Sequence, residues 1–195
     1  MPNDVKNILI VGVGGQGTLL ASKLLGKCFL EKGYDVKVGE VHGMSQRGGS
    51  VVTYVRYGLE VFSPIIDKGE ADMIIAFEQL EAARWLPYLK KDGVLIINTQ
   101  IINPMPVIMG VAAYPENIIE KLKEAGVKVI AIDALSFAQS CGSVKATNVV
   151  LLGVAAKELG LGADIWLESI AITVPQKTIK MNQDAFLLGY NSRHQ

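Results

Sequence analysis

Runs of β-branched and aliphatic residues alternate along the chain with segments whose apolar positions recur every three or four residues. That alternation predicts strands joined by helices. Asn7–Val13 is the first apolar run, and Gly15–Lys32 follows it with Leu19, Leu20, Leu24, Leu25 and Phe29 at helical spacing and Gly33 as a stop. Asp35–Val41 supplies the next strand, so these elements predict a βαβ unit with a parallel, right-handed crossover. Ser50–Tyr57 and Leu59–Phe62, parted by Gly58, predict a hairpin that makes the sheet mixed. Asp72–Phe77 and Gly93–Asn98 read as buried strands, with a helix from Glu78 to Leu89 between them that must bend near Pro87. Thr99–Gly110 carries Pro104 and Pro106 and reads as a loop; Pro115–Ala125 reads as a helix and Val127–Ile132 as a strand. Thr147–Leu159, Ala163–Ile172 and Pro175–Leu188 fill the C-terminal third with helices. The class predicted is α/β: a Rossmann-like three-layer sandwich with a mostly parallel (mixed) sheet and a helical C-terminal third.

Length and composition narrow the picture. A chain of 195 residues suits one domain over residues 1–195. Nineteen basic residues balance nineteen acidic ones, which leaves no positive field to hold a phosphate backbone and argues against nucleic acid as a partner. Half of the residues are hydrophobic, 19% are charged and the mean hydropathy is +0.31. This balance excludes disorder and suggests buried surface beyond a monomer core, hence a partner subunit. No apolar run approaches the roughly 20 residues of a membrane-spanning helix, and no secretory signal is visible at Met1–Lys6, so a cytoplasmic protein without a membrane partner is expected. Cys28 and Cys141 lie far apart and in no CxxC or Cys/His cluster, which encodes neither a disulfide framework nor a metal or iron–sulfur site. Redox chemistry would have to come from another chain.

Gly12-Val13-Gly14-Gly15-Gln16-Gly17 fits G-x-G-x-x-G where that pattern carries meaning, after a strand and opening a helix. Glycines let a phosphate approach the backbone, and the helix N-terminus presents unpaired N–H groups to it. Thr18 adds a hydroxyl donor, and Glu40, 23 residues after Gly17, stands where a ribose-binding acid belongs. The plainer reading is a tight turn that packs helix on sheet with nothing bound. After the second strand, His42, Met44, Ser45, Gln46, Arg47, Gly48 and Gly49 combine a titratable ring, polar donors, a guanidinium and glycines. Both segments follow strand ends, where open α/β sheets bind ligands, and they are expected to face each other. Arg47 suits bidentate contact with phosphate or carboxylate; its plainer role is a surface ion pair, and that of His42 a structural hydrogen bond. Asn98, Thr99 and Gln100, at another strand end, either add donors to the same crevice or, for Asn98 and Thr99, cap a helix or turn. Thr147 and Asn148 read first as helix caps.

With both segments in hand, the chain resembles the gamma-type domain of the 2-oxoacid:ferredoxin oxidoreductases. The residues carrying the resemblance are Asn7–Leu20, Glu40–Val51, Asn98–Val107, Lys145–Gly153 and Pro175–Tyr190, together nearly the whole chain. The HGMSQRGG form of the second segment points to the indolepyruvate branch. The resemblance implies a subunit of an enzyme that decarboxylates an aryl-2-oxoacid on thiamine diphosphate, passes electrons through 4Fe-4S clusters to ferredoxin and forms arylacetyl-coenzyme A. It implies that these cofactors sit on a larger alpha subunit, that coenzyme A is the co-substrate, and that this chain is inactive alone. A ligand-facing or interface role is carried over to Gly14, Gly15, Gln16, Gly17, Ser45, Arg47, Gly48 and Gly49.

Other readings stay open. The chain is also compatible with a gamma subunit of a pyruvate, 2-oxoglutarate or branched-chain 2-oxoacid oxidoreductase, or with an assembly subunit whose loops touch only protein and which self-associates when alone. A free-standing NAD(P) oxidoreductase fits the glycine motif and Glu40, yet residues 42–50 do not continue like a nucleotide fold.

Overall fold

The computed structural model describes residues 5–42 and 49–192. Strands β1 (Lys6–Val13), β2 (Asp35–His42), β3 (Ser50–Gly58), β4 (Ala71–Ala76), β5 (Leu89–Asn98) and β6 (Lys128–Ile132) form one sheet in the order β2-β3-β1-β4-β5-β6. The pairs β1–β4, β4–β5 and β5–β6 are parallel; β3 runs antiparallel to both β1 and β2. Because side chains alternate across a strand, the register lays apolar rows over both faces. Ile10, Ile75, Ile96 and Ile130 are in register and enter one core cluster, whereas Leu9, Ile74, Leu95 and Val129 line up beneath the other. Each fully buried aliphatic side chain in these rows contributes about 1.5–3 kcal/mol.

On the first face lie α1 (Thr18–Glu31), α5 (Ala134–Ser140), α6 (Thr147–Glu158), α7 (Ala163–Thr173) and α8 (Ile179–Asn191). The other face is covered by α2 (Gln79–Trp85) and α4 (Ile118–Glu124), while the short α3 (Met105–Ile108) follows β5. Helix α6 is buried continuously from Asn148 to Ala156, which explains an apolar sequence with no polar stripe. It meets α8 through two glycines: a Cβ on Gly153 would lie 2.1 Å from the Phe186 carbonyl oxygen, and one on Gly189 would lie 1.9 Å from that of Val150.

Several expectations change. The antiparallel hairpin pairs β2 with β3, and not β3 with residues 59–62 across Gly58. Because β3 is already paired on both edges, residues 59–62 have no free edge to join, and Phe62 stays 83% exposed. The same insertion separates β2 from β1, so the two run in one direction without being neighbours. The helix expected to Leu89 ends at Trp85, a 3₁₀ turn over Leu86–Tyr88 holds Pro87, and β5 starts at Leu89. The C-terminal helices lie as expected, but α5 was not anticipated. Among the described residues no helix is long and apolar enough to cross a membrane.

Candidate functional site

The turn after β1 is held open by glycine and stiffened by one glutamine. Gly15 and Gly17 have φ of +101° and +84°, in the region that favours glycine. Gln16 folds back: its Oε1 accepts from the Val13 N–H at 2.7 Å, and its Nε2 donates to the Phe77 carbonyl at 3.0 Å and to Gln100 Oε1 at 3.4 Å. Gly12 makes room for this, since a Cβ there would sit 2.8 Å from Gln16 Oε1. Asn148 of α6 donates to the Gly17 carbonyl at 3.0 Å. Gly17 caps α1 without a side-chain acceptor, so the first-turn N–H groups keep their partial positive charge for an outside anion.

Two cavities flank this turn. The larger, about 610 Å³, is lined by Gly15, Gln16 and Gly17 together with Gln100 after β5, Lys145 before α6, and Asn148. Lys145 carries the only charge in that lining, and no carboxylate is paired with it among the described residues. The smaller, about 280 Å³, is lined by Gly14, Gly15, Gly17, Thr18, Glu40 and His42. The Gly14 N–H donates to the Gly49 carbonyl at 2.9 Å, which ties the glycine turn to the end of the segment that joins β2 to β3. Met44, Ser45, Gln46, Arg47 and Gly48 lie outside the described residues.

The remaining sequence candidates separate. Glu40 Oε2 accepts from the Thr53 hydroxyl at 3.2 Å, on an edge strand that β3 keeps one place away from β1. A ribose acid of a dinucleotide fold ends the strand next to β1, so Glu40 is displaced by about 5 Å from that position. Asn98 is fully buried: its Nδ2 donates to the Phe77 carbonyl at 3.1 Å, and its Oδ1 accepts from the first N–H of α5, on Ala134, at 3.2 Å. It thus works as a cap, the plainer reading of the sequence. Thr99 lines neither cavity and uses its backbone, accepting from Gln79 Nε2 at 2.7 Å. Asn148 departs from its expected capping role and bridges to the glycine turn.

Gln100, offered by the sequence together with Asn98 and Thr99, lines the larger cavity, whereas sequence reasoning gave no site role to Lys145 or to a buried acidic pair, Glu78 and Glu81. Glu78 caps α2 by accepting from the Glu81 N–H, and it also accepts from the Tyr114 hydroxyl and, at 3.2 Å, from the Ile102 N–H. Glu81 accepts from the Ser50 hydroxyl; burial raises its carboxyl above the usual value, only partly offset by Ser50 and Arg84. Burial and the neighbouring Glu78 carboxylate raise the Tyr114 phenol. Cys28 is raised by burial to about 11, an inert thiol hydrogen-bonded to Ser169 at 3.3 Å.

A strand-end crevice with an open helix N-terminus, a glycine turn and, among the described residues, Lys145 as the one charge in its lining is the arrangement with which α/β folds can receive an anion. The family model described as pyruvate ferredoxin/flavodoxin oxidoreductase matches residues 7–192, and the chain belongs to that family. Indolepyruvate oxidoreductase subunit IorB of Thermococcus kodakarensis is 47% identical over 190 residues, covering 94% of this chain and 93% of that protein. The common gamma subunit of the pyruvate/ketoisovalerate oxidoreductases of Pyrococcus abyssi is 26% identical, over 90% and 92%. The fold matches the crystal structure of pyruvate oxidoreductase subunit PORC from Thermotoga maritima with a TM-score of 0.73 at 21% identity, over 96% of both chains.

Proposed function

We propose that the chain is the small subunit of a cytoplasmic indolepyruvate:ferredoxin oxidoreductase, forming one wall of a composite active site. The larger partner subunit supplies thiamine diphosphate and the iron–sulfur clusters, ferredoxin takes the electrons, and the product is an arylacetyl-coenzyme A. The near-twofold difference in identity between the IorB relative and the gamma subunit favours the indolepyruvate branch. The described residues of this chain do not fit a cluster: Cys28 is buried against Ser169, Cys141 ends α5, and no three His, Cys, Asp or Glu side chains converge as metal ligands.

The observation that carries this chain's own role is the 610 Å³ cavity, where the glycine turn, the N-terminus of α1 and Lys145 meet. Coenzyme A brings phosphates of high charge on a long, narrow body. Bare glycine backbone admits a pyrophosphate, first-turn N–H groups donate to it, and an unpaired ammonium supplies countercharge. The acyl-accepting thiol would then lie toward the partner's thiamine across the open side of the crevice, with the Gly14 to Thr18 turn at its border.

The test is steady-state kinetics on the complex reconstituted from both subunits. Lys145→Ala is expected to raise KM for coenzyme A about tenfold, the size of one lost charge-assisted contact, with kcat changed less than twofold. An unchanged KM would remove coenzyme A from this cavity. Turnover of pyruvate in preference to indolepyruvate would move the chain to another branch.

A further inference from the structure

The segment between β5 and α4 is covered in apolar side chains that the chain itself does not bury. Residues 93–115 contain no charged side chain. Within them Ile101, Met105, Ile108, Met109 and Val111 are 55% to 73% exposed. Scattered exposed aliphatics need no explanation, but five within eleven residues concentrate exposed apolar side chains in one segment, the pattern that marks interaction surfaces. The segment is also folded in place. The Pro106 carbonyl accepts from the Val111 and Ala112 N–H groups, and the Met105 carbonyl from that of Met109.

One buried carboxylate closes this loop at both ends. Glu78 accepts from the Ile102 N–H at the start of the segment and from the Tyr114 hydroxyl at its close, while Tyr114 in turn accepts from the Leu80 N–H at 3.1 Å. The residue before Glu78 holds the candidate site, because the Phe77 carbonyl accepts from Gln16 and from Asn98. Two consecutive residues therefore set the distance between the glycine turn and the apolar patch. The patch also begins at the crevice, since Gln100 lines the large cavity and Ile101 follows it.

We infer that the Ile101–Val111 segment is the docking surface for the larger thiamine-bearing subunit, registered to the active site by Phe77 and Glu78. This rests on the composite-site reading above. A partner that completes the crevice must pass over its rim, and the rim here is uncharged and apolar. Met105 and Met109 suit a surface shaped to a different chain, because unbranched thioethers adapt to an irregular partner. A second copy of this chain would instead have to present the same patch across a twofold axis.

The experiment is a binding measurement between the two separately purified subunits, with the small chain carrying Met105→Glu and Ile108→Glu together, or Val111→Glu alone. Circular dichroism and melting check that each variant is folded. The expected result is an affinity weakened at least tenfold for both variants, with Leu59→Glu and Ile172→Glu, at exposed aliphatics elsewhere in the chain, within twofold of wild type. Patch variants that bind like wild type would overturn the docking surface and leave the composite-site reading intact. If only self-association of the small chain is lost, the occupant is a second copy and the inference fails. A wild-type pair that forms no complex would overturn the inference together with the reading on which it rests.

Discussion

Glu81 is a carboxylate that the fold buries without neutralising. It is 4% exposed, with the Ser50 hydroxyl on one oxygen and Arg84 3.6 Å from the other. Burial outweighs both, and its carboxyl titrates above the ordinary glutamate value. The folded state thus binds more protons than the unfolded state between the two values, and stability falls as pH rises across that interval. The contribution is fully present below the ordinary carboxylate range and is lost as pH rises through the raised folded value. Glu81→Gln keeps an acceptor for Ser50 and removes the charge. Melting curves are expected to show the variant more stable than wild type at pH 7.5, with the gap closing toward pH 4; an equal gap at both would mean that burial of the charge is not the cause. Neither glutamate was legible as a site residue, because each sits in a plain helical sequence and acquires meaning only from Ser50, Ile102 and Tyr114. The glycine turn was legible because φ above zero leaves a compositional trace. Its cross-braces were not: Gln100 and Asn148 reach it from 84 residues beyond Gln16 and 131 residues beyond Gly17.

Between elements, the sign of a glycine substitution depends on what faces it. Replacing a helical glycine by alanine gains about 1 kcal/mol of intrinsic propensity. At Gly26 in α1 the new methyl would meet only the Val36 and Val38 side chains at 3.8 Å, so Gly26→Ala is expected to stabilise by up to about 1 kcal/mol. At Gly153 it would overlap the Phe186 carbonyl oxygen and the Tyr190 nitrogen of α8, atoms that no rotamer change can move. Overpacking of about 1–3 kcal/mol or more exceeds the propensity gain, and Gly153→Ala is expected to lose about 2 kcal/mol net in urea unfolding. Equal effects at the two positions would mean that the α6–α8 contact does not limit stability. The strands were legible as apolar runs and the C-terminal helices by their spacing. Strand order was not, because the sequence between β2 and β3 carries glycines that read equally well as a ligand loop. Helix α5 escaped because Ala134–Ser140 is too short to establish a period, and its start is fixed by Asp133 and by Asn98 from another strand.

At the scale of the molecule, the chemistry gathers at the carboxyl ends of β1, β4 and β5: both cavities at the glycine turn, the cap residues Glu78 and Asn98, and the apolar segment after β5. On the proposed docking this end of the sheet is half of an interface, and a chain that completes itself on a partner should melt higher when the partner is bound. A ligand that binds only the folded state adds about 2.7 kcal/mol at a hundredfold excess over its Kd. For a chain of this length each kcal/mol moves Tm by about 2–4 °C. Differential scanning calorimetry of the small subunit with saturating larger subunit is therefore expected to show its transition raised by about 5–10 °C, with the rise continuing logarithmically as partner is added. Coenzyme A alone should give a smaller shift, because it fills the crevice and leaves Ile101–Val111 in water. A transition that ignores the larger subunit and moves only with coenzyme A would make this chain a ligand-binding module complete in itself, and the apolar rim would lose its explanation as an interface.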